Sequence, residues 1–192
     1  MTKLRLTALV LLGCLSSLAQ AIDFETFSQQ MREKTHLTGQ FVQEKHITGF
    51  PKPLISNGHF QFVLKDGIEW TSERPLSSKT RLTPSAITVE NQFGRQSITN
   101  QTHPLIGVIG TLMMSLFSAD TQVLNQHFIC SAQKKKNGWE LALTPQSDVA
   151  KTLFQSMNVL GDRYPETITI IEKSGDHTVI RFQNVKVQSV KQ

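Results

Sequence analysis

The chain has 192 residues, a formal net charge of +5, 39% hydrophobic and 7% aromatic residues, and two cysteines. Its basic residues form no block interleaved with aromatics, which argues against a nucleic-acid surface. Motifs that organise hydrolytic, metallo-, thiol-redox or nucleotide chemistry (HExxH, GxSxG, CxxC, a phosphate-cradling glycine loop) are absent from the sequence.

Residues 1–21, MTKLRLTALVLLGCLSSLAQA, read as an export signal. Lys3 and Arg5 form the basic leader, Leu6 to Leu18 the apolar stretch, and Ala19-Gln20-Ala21 the cleavage site. The apolar run is too short and too serine-broken to span a bilayer. Cleavage after Ala21 would remove two basic residues and lower the formal charge from +5 to +3. The competing reading makes Cys14 a lipidated N-terminus, but leaves a very short apolar stretch before it. The expected product is one exported domain over 22–192. It retains Cys130 alone and so depends on its core rather than on a disulfide.

Residues 23–35 predict an amphipathic helix, with Asp23 as cap and Phe24, Phe27 and Met31 at helical spacing. From Gly39 the period becomes two. GQFVQEKHI places Phe41 on one face with Gln43, Lys45 and Ile47, and Val42 on the other. The strand that follows puts Phe60, Phe62 and Leu64 on one face, and a second turn leads to Trp70. AITVE with RQSIT, and QHFICSAQ with WELALTP around Lys-Asn-Gly, read as hairpins. LFQSMNVLGD, ETITIIEK and HTVIRFQNVKVQ complete a series of short antiparallel strands. His46 and His59 offer two readings across the first hairpin: a close pair that could hold a metal, or two solvent-facing strand histidines, and the second is preferred. The run KKK at 134–136 reads as a solvated hairpin tip, with an anionic-lipid contact as its alternative.

HPLIGVIGTLMMSLFSAD, 103–120, breaks the strand rhythm. Leu105, Ile109, Leu112 and Leu116 recur at helical spacing, as do Ile106, Met113 and Phe117. Two uses fit this segment: a plug for the end of a curled sheet, or a movable lid over an apolar cavity. Gly107 and Gly110 loosen it as a helix.

Lys52, Pro53, Leu54, Ser56, Gly58, Phe60, Trp70 and Pro75, in the order KPLxSxGxF before WxxxxP, resemble the LolA-like family of periplasmic outer-membrane lipoprotein carriers. GDRYPETITIIEKSGDHTVIRF near the end resembles the same LolA-related branch. The resemblance implies a mainly β fold: an incomplete, half-open antiparallel β-barrel covered by a helical lid. It further implies an apolar cavity for acyl chains, lined by Phe41, Phe60, Phe62, Leu64 and Trp70 on the wall and by Leu112, Met113, Leu116 and Phe117 on the lid. The partners implied are an acylated lipoprotein or other lipid cargo, an inner-membrane donor transporter and an outer-membrane acceptor. No enzyme activity, cofactor, metal or nucleic acid is implied, and a monomer is expected. The lipoprotein carriers have an Arg-Pro pair that latches the lid; here those positions are Leu64-Lys65, so the latch does not transfer and another lipid-linked cargo enters consideration. A regulator sensing lipids or lipoproteins with the same fold is the alternative function.

Overall fold

A computed structural model describes residues 36–118 and 120–188. The expected helix at 23–35 and the export signal lie outside the described residues. Eleven strands form a single antiparallel sheet in the order β6-β5-β4-β3-β2-β1-β11-β10-β9-β8-β7. All neighbours are consecutive in the chain except β1 (His36–His46) and β11 (His177–Val187), which join two meanders side by side. One meander comprises β2 (Leu54–Val63), β3 (Gly67–Arg74), β4 (Ser78–Leu82), β5 (Ala86–Asn91) and β6 (Gly94–Thr99). The other comprises β7 (Phe128–Lys135), β8 (Gly138–Pro145), β9 (Phe154–Gly161) and β10 (Pro165–Glu172).

The sheet curls without closing, because edge strands β6 and β7 do not pair with each other. The chain between those edges forms helices α1 (Pro104–Ser118) and α2 (Thr121–His127), while α3 (Asp148–Leu153) sits between β8 and β9. Helices therefore occupy the side that strands leave open. None is long and apolar enough to cross a membrane. Both short helices start on side-chain caps, Asp120 accepting from the Val123 N–H and Ser147 from the Ala150 N–H.

Alternation sends one face of each strand inward. Phe41, Phe60, Phe62, Ile68, Leu141, Leu143, Met157, Val159, Ile168 and Phe182 are all buried there, with Leu112, Leu116 and Phe117 of α1 packed against them. Two tight turns depend on glycine. Gly67 follows β2 at φ +107° and Gly138 opens β8 at φ +115°, with an added Cβ falling 2.3 Å and 2.1 Å from facing carbonyl oxygens.

Four local expectations are corrected. Leu64 does not continue the Phe60–Phe62 face. β2 ends at Val63, the Asp66 N–H bonds the Val63 carbonyl, and Leu64 sits exposed in the turn. His46 and His59 do not approach each other. The register sets His59 opposite Gln40, whereas His46 faces and stacks on His177 at 4.1 Å. LFQSMNVLGD is not strand throughout, since Leu153 completes α3 and β9 runs only from Phe154 to Gly161. Finally, β4 and α2 form where no period announced them: SKTRL alternates charge and carries a single apolar residue, Leu82, at its end, and α2 is a seven-residue helix.

Candidate functional site

On each of five neighbouring strands the inward face changes character towards the end carrying His46. Along β1 it runs Phe41, Gln43, Lys45; along β2, Phe62, Phe60, Gly58, Ser56; along β3, Ile68, Trp70, Ser72; along β4, Leu82, Thr80, Ser78; along β11, Phe182, Ile180, Thr178. The register aligns these positions across strands, pairing Ser56 with Gln43, Gln43 with Ile180, Trp70 with Thr80 and Ser72 with Ser78. The concave face is thus apolar and aromatic at one end, and rich in hydroxyls and amide at the other.

Helix α1 crosses the apolar half. Phe117 is its anchor, with ring centroids 5.5 Å from both Phe60 and Phe62 and 5.3 Å from Phe182. Phe41 lies 3.9 Å from Trp70, which meets Phe182 edge-on at 5.9 Å. The first half of α1 approaches the β4–β5 turn so closely that a Cβ on Gly110 would sit 2.1 Å from the Thr83 carbonyl oxygen. Gly110 is therefore a contact surface and not a loosened joint, contrary to the sequence expectation. That turn is itself braced, with Thr83 Oγ1 donating to the Ala86 carbonyl and accepting from the Ala86 N–H.

Where α1 leaves the polar half uncovered, a groove of about 380 Å³ opens between helix and sheet. Ile109 and Met113 form the helical wall; Trp70, Leu82 and Ile180 the apolar floor; Gln43, Ser56, Ser72, Ser78 and Thr80 the polar floor. The volume falls within the usual range for small-ligand sites, roughly 300–1,000 Å³. Beyond Gln43 on β1, Lys45 Nζ is held by Glu172 Oε1 at 2.9 Å, and Thr178 donates to the same oxygen at 3.4 Å.

Of the nine residues expected at the cavity, Trp70 and Met113 line the groove. Phe41, Phe60, Phe62, Leu112, Leu116 and Phe117 lie in the packed layer between α1 and the sheet, and Leu64 is outside it in the exposed turn. Reasoning from sequence missed Ile109 as a wall and all five polar lining residues. Ser72, Ser78 and Thr80 alternate visibly along their strands, yet nothing in the sequence tells which face of β4 turns inward.

Around this end of the sheet, three connections and the strand start beside one of them carry exposed large apolar residues: Phe50 between β1 and β2, Leu54 at the start of β2, Leu76 between β3 and β4, and Phe93 between β5 and β6. Their exposures are 67, 59, 66 and 84%. Among the described residues, no group of three His, Cys, Asp or Glu could hold a metal ion. Burial pushes the Cys130 thiol up to about 11, which makes it a poor nucleophile.

The family model described as outer membrane lipoprotein carrier protein LolA matches residues 32–192. A search of the curated proteins finds no match. Among solved structures, the chain is similar to a LolA superfamily protein of Nitrosomonas europaea, at 9% identity and TM-score 0.44 over 89% of this chain and 96% of that one. It is also similar to a DUF1329 family protein of Desulfovibrio piger, at 10% identity and TM-score 0.45 over 88% and 92%.

Proposed function

The chain belongs to the LolA family of outer membrane lipoprotein carrier proteins, and from that premise we propose that it shelters the acyl chains of a lipoprotein or other lipid-linked molecule during transit through the periplasm. Residues 22–192 act as one carrier unit once the export signal is removed. The observation that carries this reading is the groove between α1 and the sheet, because it gives an acyl chain an entry against Trp70, Ile180, Ile109 and Met113.

Physics sets the terms of such a carrier. A sixteen-carbon chain gains about 13 kcal/mol by leaving water, at about 0.8 kcal/mol per methylene. A rigid apolar site of that depth would not release it. Helix α1 buries Val108, Leu112, Met113, Leu116 and Phe117 in the closed state. At about 2 kcal/mol each, those five side chains contribute roughly 10 kcal/mol. Cargo entering beneath α1 replaces helix–sheet contacts with chain–sheet contacts, so the net affinity is a small difference between comparable terms. The exposed residues Phe50, Leu54, Leu76 and Phe93 surround the same end and provide a docking rim for an inner-membrane donor and an outer-membrane acceptor.

Native mass spectrometry of the mature protein recovered from periplasm tests this function. The expected result is a heavier species releasing an acyl-containing molecule. It should be lost in Met113→Glu and retained in Leu64→Glu, whose side chain lies outside the groove. A protein without cargo that takes up neither added lipid nor lipopeptide would refute the carrier function.

A further inference from the structure

The polar half of the groove carries an inference about cargo chemistry that rests on the carrier reading. Five of the ten lining residues, Gln43, Ser56, Ser72, Ser78 and Thr80, are uncharged hydrogen-bonding side chains, and none of the ten is ionisable. The side chains of Gln43, Ser56, Ser78 and Thr80 engage no other described residue, and that of Ser72 makes only a 3.4 Å bond to the Arg74 carbonyl. They are half-buried groups facing a cavity, with donors and lone pairs left for a ligand.

Charge on the ligand is disfavoured there. Lys45, two residues beyond Gln43 on the same face of β1, is already paired with Glu172 at 2.9 Å, and none of the lining side chains is cationic, so a phosphate or carboxylate brought under α1 would meet no counter-charge among them. A bare hydrocarbon would fare poorly in a different way, because it would strip water from the hydroxyls without replacing its hydrogen bonds. The group that fits is uncharged and oxygen-rich.

We infer that Ser56, Ser72, Ser78, Thr80 and Gln43 form a subsite for the ester or amide linkage of an acyl lipid. The chain lies against Trp70, Ile180 and Met113, and the linkage carbonyl accepts from the serine and threonine hydroxyls. The groove thereby selects neutral acyl esters and amides over free fatty acids and anionic phospholipids. A few placed polar groups in an otherwise apolar pocket fix orientation in this manner.

The test uses the mature, delipidated chain loaded with the neutral dye N-phenyl-1-naphthylamine, displaced in turn by 1-monopalmitoylglycerol, palmitate and a phosphatidylglycerol. Monopalmitoylglycerol is expected to bind about tenfold more tightly than palmitate or the phosphatidylglycerol. The combined Ser72→Ala, Ser78→Ala, Thr80→Val variant should lose about tenfold for the monoglyceride and keep its affinity for the dye. The conservative Ser78→Thr variant should keep both, and urea midpoints identify any variant that is misfolded. The discrimination by the unaltered protein stands whether or not the variants fold. Equal affinity for the three lipids, or full monoglyceride affinity in a folded triple variant, would overturn the polar subsite and leave the carrier function standing. Uptake of neither dye nor lipid by the unaltered protein would overturn both.

Discussion

The two glycines of α1 are predicted to respond in opposite directions to the same change. Ala is favoured over Gly inside a helix by up to about 1 kcal/mol, so Gly107→Ala and Gly110→Ala receive the same intrinsic gain. Their surroundings differ. A Cβ at Gly107 meets the Cβ of Asn100 at 3.2 Å, and Asn100 is an exposed turn residue, so a shift of that turn by a few tenths of an ångström relieves the contact. A Cβ at Gly110 meets the Thr83 carbonyl oxygen at 2.1 Å and the Thr83 carbonyl carbon at 2.9 Å, against 3.4–4 Å for ordinary contact. Backbone must move by more than an ångström, and the Thr83–Ala86 hydrogen bonds hold that turn in place, so the helix yields. Overpacking of this kind costs about 1–3 kcal/mol. Gly107→Ala should therefore be neutral or stabilised by up to about 1 kcal/mol, and Gly110→Ala destabilised by about 1–2 kcal/mol. Urea unfolding of the mature chain reads the difference. In a thermal scan it corresponds to a separation of about 2–12 °C between the two variants at this chain length. If α1 is the cargo gate, Gly110→Ala should also accelerate dye uptake. Equal or greater stability of Gly110→Ala relative to Gly107→Ala would refute the close approach of α1 to the β4–β5 turn.

Leu76→Glu and Phe93→Glu should leave cargo affinity within about twofold while slowing delivery to acceptor-containing membranes, since both side chains protrude from the rim rather than line the groove. A transfer assay showing unchanged delivery in the double variant would exclude the rim as a docking surface. Cys130 should react slowly with a thiol reagent in the folded chain, with a rate that rises towards pH of about 11, and normally once unfolded. Rapid labelling of the folded chain at neutral pH would contradict its burial. The Thr48 N–H bonds the Asp176 carboxylate at 2.9 Å and, as the leading cause, holds it below the ordinary aspartate value of 3.8. A depressed carboxylate contributes stability above that ordinary value and loses it as pH falls through the lowered one. The Thr48 amide resonance should therefore titrate with a midpoint below 3.8, and that step should vanish in Asp176→Asn. A midpoint at or above 3.8 would show that the loop is not pinned there.

Much of the architecture was legible from period and turn chemistry alone. Period-two stretches around Phe41, Phe60, Leu141 and Ile168 became strands, Lys-Asn-Gly became the β7–β8 turn, and the helical spacing of Ile109, Leu112, Met113 and Leu116 became α1. These are local signals, set by which side chains within a few residues share a face. The failures have local causes as well. β4 presents no apolar alternation because one face looks into the polar half of the concavity and the other into solvent. Leu64 continued an alternation that a tight turn cut short, and periodicity carries no information about where a strand stops.

The candidate site was divided differently. That the middle helix and the aromatic strands belong together followed from their hydrophobicity. Which of those residues touch a ligand and which seal the core did not, because Phe60, Phe62 and Phe117 are as apolar as Trp70 and Met113. Only the tertiary arrangement separates them, through where α1 crosses the sheet and how near Gly110 lets it lie on Thr83. The polar floor has the same origin. Gln43, Ser56, Ser72, Ser78 and Thr80 come from four strands, and the pairing register of a curled sheet brings them to one wall. The sequence by itself determined the elements and their greasy faces, since those depend on neighbours along the chain. The groove and its chemistry were decided by long-range pairing, which no local pattern encodes.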